Sequence, residues 1–80
     1  MAGNSNNDKI NNGLDVSETG KRIGTFIDKS GLNDKELAEK MKVSVQAINK
    51  WRHGHSIPDI ENLYLLSRII GVSVDELLAE

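Results

Sequence analysis

The 80-residue chain has no cysteine. Neither a disulfide framework nor a thiolate metal site can therefore supplement its core, and the composition suits a reducing compartment. Long apolar runs are also missing. No stretch approaches the ~18 residues that a membrane-spanning helix requires, and the N-terminus lacks the basic start and apolar segment of a secretory signal. These absences predict a soluble, cytoplasmic protein with no membrane association. A basic excess is lacking as well: 12 Asp and Glu against 10 Lys and Arg give a net charge of -2. That balance excludes strong indiscriminate affinity for polyanions and leaves room for a local anion site. A chain this short buries a smaller fraction of its surface than a domain of ~150 residues, so it can build one compact core.

The charge that is present lies unevenly. Residues 44–55 carry Lys50 and Arg52 with no acid, whereas residues 56–80 set Arg68 against five acids. Residues 1–16 are rich in Asn, poor in apolar side chains and hold Lys9 as their one basic group. Such a segment cannot offset the entropy of its own ordering and is expected to be a flexible tail, the alternative being an arm that wraps a partner. The folded domain is expected over residues 17–80.

Within that domain the start and stop signals predict five helices and no strand, hence an all-α fold. The first helix is expected from Ser17 to Lys29, with Ile23, Phe26 and Ile27 at helical spacing and Gly31 as its stop. Asn33 with Glu36, and Ser73 with Glu76, form capping-box patterns, and the pairs Leu32–Leu37, Val43–Ile48 and Val72–Leu77 have staple spacing. Ser44 should cap a third helix of about ten residues closed near Gly54. Asp59 should cap a fourth, with Ile60, Leu63, Ser67 and Ile70 as its inner stripe and Gly71 at its end.

Only Lys42 and Val43 separate the second helix from the cap of the third, too few for antiparallel neighbours. The pair is therefore predicted to be a helix-turn-helix. At 100° per residue, Ile48 and Trp51 define an inner direction, and Gln46, Asn49, Lys50 and His53 fall on the opposite side. Gln and Asn can pair with adenine and Lys can donate to guanine, so this acid-free face suits base edges in a major groove better than an ordinary solvated surface, which usually mixes acids with bases. Trp51 shares the direction of Ile48 and is read as core rather than as a base-stacking platform. His53 and His55, two residues apart without a third ligand, have poor spacing for zinc; contact with phosphate is the better use of either. No metal site, cofactor or small-molecule ligand is expected. An enzyme is the weakest reading, because the sequence has no nucleophile with a spaced base and no phosphate loop.

Several segments together resemble the helix-turn-helix domain of the phage repressor and Cro type, also called the Xre type. They are KRI in the first helix, GLNDKELAEKMKVS through the second helix and turn, VQAINKW with Gly54, PDIENL, and IIGVSVDELL. The resemblance covers roughly Gly20 to Leu78 and implies a five-helix bundle that binds a double-stranded DNA operator as a dimer, with the third helix in the major groove. By position it implies that Val45, Gln46, Asn49 and Lys50 read bases. Asn33 and Ser44 would anchor phosphate, with Arg52, His53 and His55 as further phosphate ligands. Three departures stand out. Lys42 holds a turn position that is often Gly. Ile27 and Arg52 replace an Arg and a Glu that many members pair, so Arg52 can reach either Asp28 or a phosphate. Leu65 and Ile69 stand where a polar and a small residue are common, which suggests a homodimer surface shared with the fifth helix, or else two side chains that complete a small core. The expected function is a sequence-specific transcriptional regulator, most simply a repressor; the competing one is a protein-interaction module such as an antitoxin or a partner-controlled regulator.

Overall fold

The computed structural model describes residues 13–79, which form five helices and, among the described residues, no strand. Of the expected tail, residues 1–16, the part up to Asn12, Lys9 included, lies outside the described residues, whereas Asp15 and Val16 belong to the folded domain. Helix α1 spans Val16–Ser30, α2 Asp34–Met41, α3 Val45–Arg52, α4 Ile60–Ile70 and α5 Val74–Leu77. One core joins them. Ile23 and Ile27 of α1, Leu37 of α2, Ile48 of α3, Leu66 of α4 and Leu77 of α5 are all essentially inaccessible to solvent.

Helix α1 opens one residue earlier than the sequence suggests. The Asp15 carboxylate, not the Ser17 hydroxyl, accepts the amide of Glu18 at 2.9 Å, which leaves Ser17 inside the first turn. Asp15 is tied down a second time, because its amide donates to the Ala79 carbonyl at 2.8 Å. The Ala79 amide in turn donates to the buried Thr19 hydroxyl at 3.0 Å, and Arg22 Nη1 donates to the Leu78 carbonyl at 3.0 Å. Residues 78–79 thus strap α5 to the start of α1.

The capping boxes form on both sides. Asn33 accepts from the Glu36 amide at 2.7 Å while Glu36 accepts from the Asn33 amide at 3.0 Å, and Ser73 with Glu76 repeats the arrangement. Helix α2 closes with Lys42 at φ 59°, and the Val43 amide reaches back to the Ala38 carbonyl at 3.0 Å. This is the closure that Gly usually makes, and a side chain in the left-handed region costs about 1 kcal/mol.

In α4 the inner stripe runs through Leu63, Leu66 and Ser67, not through Ile60, which is 84% exposed. Ile60 is the first residue of its helix, immediately after the Asp59 cap, and lies beyond the reach of the core, while Leu66 takes the fully buried place. The Ser67 hydroxyl donates to the Tyr64 carbonyl at 2.7 Å, so its burial leaves no polar group unsatisfied. Leu65 is just exposed and Ile69 is half-buried against the core.

Candidate nucleic-acid interface

Helix α3 is held on its inner side by Ile48, which is fully buried, and by Trp51, which is 5% exposed. Its N-terminus is set by Ser44, whose hydroxyl oxygen accepts the Ala47 amide at 3.0 Å. Its far end is fixed by backbone contact. Gly54 adopts φ 71°, and a Cβ added to Gly20 of α1 would stand 2.7 Å from both the Gly54 amide nitrogen and the Trp51 carbonyl oxygen. A Cβ on Gly54 would in turn lie 2.9 Å from Ser17 Cα. The two glycines let α1 and the end of α3 meet main chain to main chain, a proximity that no larger residue permits. Nothing in the local pattern around either glycine announces it.

This anchoring leaves Val45, Gln46, Asn49, Lys50 and His53 exposed, and no acidic side chain occurs in α3. Val45 is 41% exposed at the first helical position, where a methyl-bearing surface can meet a thymine methyl. Asn49 and His53 continue up the helix as a ladder. Asn49 Nδ2 donates to the Val45 carbonyl at 3.2 Å, and His53 Nδ1 lies 2.8 Å from the Asn49 carbonyl. Because a carbonyl only accepts, His53 Nδ1 is the donor in this contact. Asn49 must release Val45 before its amide can pair with adenine through both donor and acceptor. Among the described residues, none forms a hydrogen bond or ion pair with the Gln46 or Lys50 side chain.

The helix caps add donors at the edge of this face. Asn33 and Ser44 are both exposed, and both engage the backbone through oxygen. The Asn33 amide hydrogens and the Ser44 hydroxyl hydrogen are therefore the groups each can offer an outside acceptor, beside a helix N-terminus that already favours anions. His55 is exposed just beyond Gly54, its amide donating to the Lys50 carbonyl at 2.9 Å.

Arg52 departs from the expected set of phosphate ligands. Its Nε lies 3.1 Å from each Asp34 carboxylate oxygen, and Nη2 donates to Asp34 Oδ1 at 2.7 Å. The same Nη2 is 3.0 Å from Asp28 Oδ1, and Nη1 reaches the Gly24 carbonyl at 3.4 Å. The side chain is only 20% exposed. Its hydrogen bonds to Asp34 raise the guanidinium pKa above the ordinary value, against an opposing effect of burial. A phosphate would have to displace a forked carboxylate partner, so Arg52 is assigned to the interior of the domain. Of its two expected alternatives the structure makes the contact to Asp28 and adds Asp34, eighteen residues away, which local pattern could not reveal.

Among the described residues no group of three or more His, Asp or Glu side chains is gathered as a metal site requires, and no helix is long and apolar enough to cross a membrane.

A helix-turn-helix family model matches residues 23–77. The HTH-type transcriptional activator BcrR of Enterococcus faecalis is 42% identical over 48 residues, which make up 60% of this chain and 24% of the relative. The HTH-type transcriptional regulator ImmR of Bacillus subtilis (strain 168) is 33% identical over 61 residues, 76% of this chain and 48% of the relative. The chain thus spans between about a quarter and a half of the curated relatives it matches. Among solved structures, the P22 c2 repressor in complex with a synthetic operator superposes with a TM-score of 0.71 at 33% identity, covering 75% of this chain and 91% of that one. The restriction-modification controller protein C.AhdI of Aeromonas hydrophila shares the fold, with a TM-score of 0.70 at 18% identity over 78% of this chain and 94% of its own. With the family match spanning α2, the turn and α3 together with most of the core, the chain belongs to the helix-turn-helix family of the repressor and Cro (Xre) type.

Proposed function

We propose that this chain is a sequence-specific DNA-binding transcriptional regulator that acts by occupancy rather than catalysis, in the cytoplasm, and most simply as a repressor. One observation carries the proposal: the exposed side of α3 presents Gln46, Asn49, Lys50 and His53 without an acid, while Ile48 and Trp51 hold the opposite side in the core. In this reading Val45, Gln46, Asn49 and Lys50 meet base edges in the major groove. Asn33, Ser44, His53 and His55 meet phosphate. The operator complex of the P22 c2 repressor supports the choice of double-stranded DNA as the partner. A homodimer through Leu65 and Ile69 of α4 would set two copies of α3 about one helical turn, ~34 Å, apart.

Selection of binding sites from a random double-stranded library at two salt concentrations tests the proposal. The expected result is an enriched two-part sequence whose affinity falls with salt at a logarithmic slope of about -0.9 per phosphate contact. Failure to enrich any sequence at either concentration overturns it.

The alternative, a protein-interaction module such as an antitoxin or partner-controlled regulator, is favoured by the outward side of α4, where Ile60 and Tyr64 are exposed. Binding through that surface would be far less sensitive to salt than contact with phosphate.

A further inference from the structure

The Arg52 cluster joins three helices through one side chain. Arg52 belongs to α3, Asp34 opens α2, and Asp28 with the Gly24 carbonyl belongs to α1. The guanidinium lies directly over Gly24, where an added Cβ would touch Arg52 Nη1 at 3.4 Å, an ordinary van der Waals distance. The location is electrostatically awkward for a surface that receives phosphate. Asp34 follows Asn33 directly, and its carboxylate is 25% exposed beside the cap whose amide donors face outward. A free carboxylate at that place would repel a phosphate and oppose the attraction of the helix N-terminus.

We propose that Arg52 is a positioning residue for DNA binding: it holds the Asp34 carboxylate in a forked ion pair and so masks one of the two acids in the first turn of α2, the other being Glu36, whose carboxylate accepts the Asn33 amide in the capping box. This rests on the DNA-binding function proposed above and assigns Arg52 a role that requires no contact with DNA.

The test compares single variants that a purely structural ion pair would move in the same direction. Affinity for the selected operator is measured for wild type, Arg52→Gln, Asp34→Asn, Arg52→Lys and the double variant Arg52→Gln/Asp34→Asn, with thermal unfolding recorded for each. Arg52→Gln uncovers Asp34 and should weaken binding by roughly five- to tenfold at low salt, an effect that shrinks as salt screens the charge. Asp34→Asn removes the repulsive charge and loosens Arg52 toward the phosphate side, so binding should tighten by a few-fold with a steeper salt slope. Arg52→Lys keeps the charge without the fork and should retain most of the affinity. The double variant should return close to wild type.

If Arg52→Gln and Asp34→Asn weaken binding together, in step with their unfolding temperatures, the masking role is overturned while DNA binding stands. If the wild-type protein binds no DNA, both fall. Should Arg52→Gln fail to fold, Asp34→Asn and Arg52→Lys still decide the matter, since weaker binding by a folded Asp34→Asn contradicts the proposal.

Discussion

Helices α3 and α4 are both short, both are buried on one side by a few large apolar residues, and they present opposite chemistry to solvent. The outer side of α3 is polar and acid-free, whereas that of α4 sets Ile60, Tyr64 and Leu65 among Glu61 and Arg68. Arg68 is drawn over the Tyr64 ring, 5.7 Å from its centroid, and Nη1 approaches the phenol oxygen at 3.2 Å. The exposed surface of α3 costs little to keep in water and suits a polyanion. That of α4 keeps apolar area in contact with water, which becomes favourable only when another protein surface covers it. In the proposed reading, one small domain thus gives its α3 side to nucleic acid and its α4 side to protein.

The largest effect should come from the buried side of α3, on which this division depends. Trp51→Ala should cost about 3–5 kcal/mol, enough to unfold so small a domain, as read by chemical denaturation. Substitution on the outer side should separate binding from stability. Gln46→Ala or Lys50→Ala should lose about 1–3 kcal/mol against the preferred base and leave the denaturation midpoint in place, and an unchanged ranking of operator sequences would remove these residues as readers. On α4 the converse is expected. Leu65→Glu should change stability by less than about 1 kcal/mol yet shift sedimentation from dimer to monomer; a wild-type protein that is monomeric with and without operator would refute the dimer surface. The smallest effect lies at the turn. Lys42→Gly should relieve left-handed strain and stabilise by under about 1 kcal/mol, visible as a slight rise in unfolding temperature.

The parts of the molecule legible in its sequence were those governed by neighbours three or four residues apart. The caps Asn33, Ser44, Asp59 and Ser73, the stop at Gly71 and the angular separation of Trp51 from Gln46 all follow from helical geometry acting locally. Periodicity misplaced Ile60, because a repeat of three and four says which residues share a side but not whether the first of them overhangs the core. The start of α1 was placed one residue late, at Ser17, since the Asp15 cap is reinforced by a bond to Ala79 at the other end of the domain. Arg52 illustrates the strongest limit. A long side chain can choose among partners on two other helices, and sequence separation carries no information about which carboxylate lies within reach.

The meeting of Gly20 and Gly54 has a consequence for the thermodynamics of association. A helix held by side chains alone can rock as rotamers exchange, and its orientation must be frozen when a ligand binds. Here the end of α3 rests against the main chain of α1, with no torsion between the two surfaces to be lost. The orientation of the exposed side is set before any ligand arrives, so the ordering entropy that remains is largely that of the surface side chains themselves, Asn49 and Lys50 among them.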